Sequence, residues 1–289
     1  MFLWEKLRPG PCFAAWPSCF SKILREGGGR MQFVKGNNLP RVRAANRSSI
    51  LRMVYHCAPI QAAILKTIYH RGPIKRAEIA ESLGLTLPTI TTNISAMIAG
   101  GLVRELDRPE NADQRSGRKS RLLDIVPQAR KYVGVEMQGT DSAVCVTDFR
   151  GQVLGRAEAP AADRDYEHNL DMTCRMVRDL LAQLGLCFDD IDALGFCLPG
   201  LVDTEGGILR VRPSFNWFDK NILRDVRRRL GFDRPICVEN NACARACGAS
   251  LFRRELLNDV QTFAYLFIHT GIACPLILNT SGSYGAIVG

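Results

Sequence analysis

Thr89, Thr92, Asn93 and Ala96 recur at a spacing that puts them on one face of a helix, opposite Ile90, Ile94, Met97 and Ile98. Short hydroxyl, amide and methyl groups presented this way suit contact with base edges in a major groove, and they equally suit a solvated helix face. A second group follows in the polar run DRPENADQRSGRKS, where Arg115, Arg118 and Lys119 surround the flexible Gly117. Cations on such a loop gain free energy at a phosphate backbone by releasing its counterions. A third group is Glu239, Asn240 and Asn241, which close the apolar run ICV. Polar side chains at a strand end serve either as ligand contacts in an open α/β fold or as caps on the next helix. Cys243 and Cys247, four apart, have the spacing to share a metal, but no His or second Cys pair stands near, which favours core packing.

The elements that position the first two groups are legible around them. KRAEIAESLG, residues 75–84, reads as a helix with Ile79, Ala80 and Leu83 inward and Gly84 as its stop. A tight turn leads into the helix that carries Thr89 to Ala96, which Gly100 and Gly101 end. Two short helices bury little alone, so Ile64, Leu65, Ile68 and Tyr69 of the preceding amphipathic segment form the third wall of a helix-turn-helix core. LVREL and RLLDIV then flank the basic run as two short strands, which makes a hairpin, or wing. Upstream, SSILRMVYHCAPI (48–60) and AAILKTIYHRGPI (62–74) match at six positions, a short tandem duplication. The second copy runs directly into Lys75 and is taken as the first helix of the core; the first copy is then an extra helix ended before Pro59. His56 and His70 are read as equivalent helix-end residues.

Charge is distributed to match. The chain of 289 residues carries a net +9, yet residues 31–126 hold 15 Lys/Arg against 7 Asp/Glu while residues 127–289 hold 18 against 20. The basic excess therefore belongs to the segment with the helix-turn-helix and wing, as contact with duplex DNA requires. Nearly half the residues are apolar, enough for a sizeable core. Eleven scattered cysteines point to reduced thiols in a cytoplasmic protein. No run approaches the roughly 18 apolar residues of a membrane span. Residues 1–37 are expected to form a disordered extension, with Met31 as a possible true start and Gly27 to Gly29 as a joint.

Beyond Pro127 the pattern turns to alternating strand and helix. YVGVEMQG, DSAVCVTDFRG and QVLGRAEAPA read as three strands, followed by a long helix through Leu170, Val177 and Leu181. The strand IDALGFCLPGLVD, a helix near Lys220 to Leu230, the strand PICVENNA, a helix from Ala242 and the strands TFAYLFIH and PLILN complete an α/β domain of the actin-like ATPase (RNase H-like) type. The division is a winged helix-turn-helix domain over 38–126 and an α/β body over 127–289.

In that order, NNLPRVRAANR, VGVEMQGT, LGFCLPGLVD, ICVENNACARACGA and IHTGIACPLILN resemble the ROK family of sugar-responsive repressors and sugar kinases across roughly residues 36–289. The resemblance implies a repressor that binds operator DNA as a dimer or tetramer, gated by a sugar or sugar phosphate in its body. The family's kinase branch implies an alternative, an ATP-dependent sugar kinase with an appended DNA-binding arm. Three departures speak against phosphoryl transfer. Asn241 stands where kinases carry the Asp that accepts the sugar hydroxyl's proton, and an amide cannot act as that base. Residues 269–275, HTGIACP, replace a glycine-rich phosphate loop. Glu136 stands where an Asp is expected near metal and phosphate, although Gly139 and Thr140 remain. No catalytic residue, metal or cofactor is assigned. The chain also ends at Gly289, before the family's GExGH sugar motif and zinc site, so a body incomplete at its C-terminus is expected.

Overall fold

The computed structural model describes residues 59–106, 121–138, 141–161, 164–252, 262–268, 272–280 and 283–288. The N-terminal extension, the first copy of the duplication up to residue 58, and the wing loop with Arg115, Arg118 and Lys119 lie outside the described residues. The account below concerns the compact unit that spans residues 40–289.

Three helices open the described chain: α1 (Pro59–Arg71), α2 (Arg76–Leu83) and α3 (Leu87–Ala99). The second copy of the duplication is thus the first helix of the core. Gly84 takes the left-handed conformation, φ 63°, which ends α2, and its amide satisfies carbonyls of the last turn. Thr86 caps α3 by accepting from the Thr89 amide, with Pro88 in the first turn. Ile64, Ile68, Ile79, Ile90 and Ile94 are fully buried where the three helices meet.

The wing closes this core from below. Strand β1 (Ile74–Lys75) pairs with β3 (Leu122–Ile125), which also pairs antiparallel with β2 (Val103–Leu106). The two-residue strand β1 is too short to leave a periodic signal in sequence. Glu105 on β2 accepts from Arg76 at 2.5 Å and Arg121 at 2.6 Å, tying the start of α2 to both wing strands. Hydrogen bonds from Arg121 and Arg76 hold the Glu105 carboxyl below its ordinary pKa.

The body is a five-stranded sheet built from β4 (Lys131–Met137), β5 (Asp141–Asp148), β6 (Val153–Pro160), β7 (Ala193–Leu198) and β11 (Ile236–Asn240), in the order 11-7-4-5-6. The first three form an antiparallel meander; β7 and β11 join parallel to β4. Helix α4 (Tyr166–Gln183) packs Leu170, Val177 and Leu181 on that sheet, and α5 (Ile222–Leu230) packs beside it, with the Tyr166 hydroxyl donating to Asp225 at 3.0 Å. Between β7 and α5 the chain makes a small antiparallel sheet, β8 (Leu201–Asp203), β9 (Ile208–Arg212) and β10 (Trp217–Asn221), that the residue pattern did not predict. Helix α6 (Asn241–Phe252) leaves the end of β11. The expected single strand TFAYLFIH is instead β12 (Thr262–Ala264) and β13 (Phe267–Ile268); β12 pairs with β15 (Leu276–Thr280) and β13 with β14 (Ile272–Ala273), so the run serves two sheets. β16 (Ser283–Val288) completes the described chain beside β15.

The two parts share a core. Tyr132 at the start of β4, Ala193 at the start of β7 and Phe149 after β5 belong to the same buried cluster as the winged-helix isoleucines. Phe149 stands between Tyr69 and Tyr132, with ring centroids 6.2 and 6.3 Å away, and Arg150 pairs with Asp124 of β3. The winged-helix module therefore seats on the N-terminal ends of β4 and β7.

Candidate functional site

Helix α3 buries Ile90, Ile94 and Met97, and the stripe turned away from them is Thr91, Thr92, Ser95, Ala96 and Ala99, all exposed. Thr92 and Ala96 fall where the sequence placed them. Thr89 and Asn93 do not stand fully outward: both are partly buried at the border of the stripe. Their polar groups serve the helix itself. The hydroxyls of Thr86 and Thr89 meet at 2.9 Å, and Asn93 Nδ2 donates to the Thr89 carbonyl at 2.8 Å. Thr91 and Ser95, which the sequence reading passed over, carry the exposed hydroxyls instead. Their 3.6-residue phase relative to Ile90 and Ile94 was the available signal.

The three exposed hydroxyls donate inward, Thr91 to Leu87 O at 2.8 Å, Thr92 to Pro88 O at 3.1 Å and Ser95 to Thr91 O at 2.9 Å. Each oxygen keeps lone pairs facing out. The stripe thus offers acceptors and methyl groups, the complement of adenine and cytosine amino groups and of the thymine methyl in a major groove.

A second polar cluster lies at the opposite, C-terminal ends of the parallel strands. Glu136, at the end of β4, is 2 % exposed, and both its carboxylate oxygens accept from Arg245 Nη2 of α6 at 2.7 Å. Gln138 adds a bond to the same carboxylate at 2.8 Å, and the Arg245 guanidinium lies 5.1 Å from the Phe267 ring. Glu239, Asn240 and Asn241 reach this rim as predicted, but two of them do structural work. Asn240 Oδ1 accepts from the amides of Ala242 and Cys243 and so caps α6, while its Nδ2 donates to Gly200 O at 2.8 Å. Glu239 Oε1 accepts from its neighbour's amide at 2.8 Å and from Thr204 at 3.4 Å. Asn241 is buried in the first turn of α6.

Arg212, at the end of β9, adjoins the same rim. Its Nη2 donates to the Gln138 carbonyl and its guanidinium stacks 3.8 Å from the Phe215 ring centroid and 4.9 Å from that of Trp217. Sequence reading missed both: Arg245 meets Glu136 across 109 positions of sequence and Arg212 meets the Gln138 carbonyl across 74, although Phe215 and Trp217 lie close to Arg212 in the chain.

Cys243 and Cys247 are packing residues. Burial, with Glu239 adding to it, pushes their thiols up to about 11 and about 12, and Cys247 packs against the winged-helix cluster. Among the described residues no three His, Cys, Asp or Glu side chains converge as a metal site, and no helix is long and apolar enough to cross a membrane.

Comparison with known proteins places the chain. A model of the ROK family matches residues 132–287, more than half of it, and a model of the MarR family matches residues 59–115, the winged helix. The chain belongs to the ROK family. This ROK chain is 25 % identical over 238 residues to the xylose repressor of Bacillus subtilis (strain 168), covering 82 % of this chain and 56 % of that protein. It is 26 % identical over 254 residues to the DNA-binding transcriptional dual regulator NagC of Escherichia coli (strain K12), covering 87 % and 56 %. It therefore spans about half the length of the curated relatives it matches. The crystal structure of a ROK family transcriptional regulator, a homolog of the E. coli MLC protein, superposes with a TM-score of 0.60 at 19 % identity over 84 % of this chain and 56 % of that one, which supports the fold.

Proposed function

We propose that this ROK chain is a non-catalytic, cytoplasmic repressor of sugar-metabolism genes that binds operator DNA as a homo-oligomer and is gated by a sugar or sugar phosphate at the strand-end rim. The observation that carries the reading is the exposed acceptor-and-methyl stripe of α3 on a buried winged-helix core. Thr91, Thr92, Ser95 and Ala96 read bases, Thr89 and Asn93 fix the helix from which they do so, and Arg115, Arg118 and Lys119 hold the phosphates. The names of the xylose repressor and NagC agree with it.

The route from rim to DNA is α6. It begins at Asn240 and Asn241 beside the candidate ligand site, pins Glu136 through Arg245, and packs Cys247 against the cluster that includes Ile90 and Ile94. At about 1.5 Å per residue, six residues carry it some 9 Å from one to the other. A ligand that prefers one setting of Arg245 and Asn240 shifts the winged helix by its difference in affinity for the two settings.

Absence of catalysis is supported by three features. Asn241 has no basic oxygen to take a hydroxyl proton, and Cys274 and Pro275 stand in the loop where bare backbone amides would cradle phosphate. Glu136 is already neutralised by Arg245, leaving little charge to attract a metal-nucleotide complex. Selection from a random duplex pool followed by titration tests the proposal. The chain should enrich one sequence and bind it at least about 1,000-fold more tightly than scrambled duplex. No enrichment, or ATP-dependent turnover of a hexose, overturns it.

A further inference from the structure

Arg212 is 4 % exposed, yet its Nε and Nη1 have no hydrogen-bond partner. Among the described residues no carboxylate pairs with it and its only polar contact is Nη2 to the Gln138 carbonyl, while the rings of Phe215 and Trp217 lie against the guanidinium. Burial alone lowers its pKa to about 10, so it keeps its charge at neutral pH. Cation–π contact offsets part of the cost of a buried guanidinium, but it gives nothing to two stranded N–H groups, and buried charges are ordinarily paired. The other charges at this rim, Glu136 and the partly buried Arg245, are paired with one another, although Arg245 Nε is also without a partner; Arg212 differs in having no carboxylate beside it among the described residues.

Its place is as telling as its lack of a partner. A Cβ built on Gly200, φ 117°, would stand 2.6 Å from Val211 O and 3.3 Å from Arg212 Cβ, so the bare Gly200 backbone separates Arg212 from Asn240, whose Nδ2 it accepts. Arg212 runs directly into the turn Pro213–Phe215, whose Pro213 and Ser214 are exposed. We propose that Arg212 is the anion-binding element of the rim, and that the small molecule bound there carries an oxyanion, a phosphate or a carboxylate, which completes its hydrogen bonds. The inference rests on reading the rim as a ligand site and not on DNA binding. A neutral sugar would leave the guanidinium as it stands, whereas an oxyanion supplies both the charge and the acceptors that it lacks.

Thermal melts and calorimetric titrations of the full chain decide this, with inorganic phosphate, glucose 6-phosphate, glucuronate and glucose as probes. At least one acidic probe raises Tm where glucose does not. Response to inorganic phosphate, to the ester alone, or to glucuronate alone identifies free phosphate, a sugar phosphate or a sugar acid as the source. Arg212→Met retains the stacked stem, weakens that probe at least tenfold, and leaves the unliganded Tm unchanged or higher. A lower unliganded Tm in Arg212→Met marks the guanidinium as a structural cation and overturns the inference. So does an acidic-probe response that survives in that variant, or no response to any acidic probe. If glucose alone binds, equally in both proteins, the gated-repressor reading stands and this inference falls.

Discussion

The outer stripe of α3 and the strand-end rim are both polar, but they resolve their hydrogen bonds in opposite ways. On α3 the hydroxyls of Thr91, Thr92 and Ser95 donate back into their own helix and leave acceptors facing outward, with no side chain of another element engaged among the described residues. At the rim, residues from β4, β11 and α6 bond to each other across as many as 109 positions of sequence, as Glu136 and Arg245 do. Substitution at the first region should therefore change recognition and spare the fold. Substitution at the second should disturb the fold first. Arg212, with no carboxylate beside it among the described residues, is the exception at the rim, and that exception marks it for a ligand.

The largest effect expected from this contrast is at Arg245. Arg245→Met leaves the buried Glu136 carboxylate uncompensated, and denaturant unfolding should show a loss of about 3–5 kcal/mol. Adding Glu136→Gln should recover most of it. Equal loss in the single and double variants would show that the pair is not coupled. Next comes Ile94→Ala in the fully buried core beneath the stripe, which should cost about 2–4 kcal/mol and weaken binding to every duplex through loss of the module's rigidity. Thr92→Ala inverts that pattern. It should reduce discrimination between the selected and scrambled duplexes by about 1–3 kcal/mol while stability moves by less than about 0.5 kcal/mol. A stability loss comparable to that of Ile94→Ala would erase the distinction between the two regions.

The smallest effect is electrostatic and belongs to the wing. Glu105, held below its ordinary pKa by Arg121 and Arg76, contributes stability above its unfolded pKa near 4.3, and this is lost as pH falls through the lower folded value. The pair geometry is partly exposed, so the contribution is about 0–1 kcal/mol. Glu105→Gln should flatten the acid limb of a stability profile below about pH 5 by that amount, and an unchanged limb would remove Glu105 from the wing's support.

What could be read in the sequence follows from how local each signal is. The helices of the winged helix were legible because Ile79, Ile90 and Ile94 repeat with the helical period and Gly84 stops a turn by conformation alone. The meander β4 to β6 was legible because its turns are adjacent. Strand β1 was not, having two residues, and the small β8 to β10 sheet was hidden in short segments between turns. TFAYLFIH looked like one strand because its apolar residues run on, although two partners divide it. On α3 the helical spacing placed Thr92 and Ala96 on the outer face, and the same phase relative to Ile90 and Ile94 carried the outward turn of Thr91 and Ser95, which was passed over; the bonds that hold Thr89 and Asn93 to their own helix needed the folded chain. Asn240 and Glu239 were found at the rim, yet their role as cap and brace depends on amides that only the fold brings near.

Hydrogen–deuterium exchange of the full chain, with and without the selected duplex, tests the central claim most directly. DNA should slow exchange in peptides covering residues 87–99 and 107–120 and leave the β4 to β6 meander unchanged. Unchanged uptake across residues 87–99 in a saturated complex would contradict the assignment of α3 as the reading element.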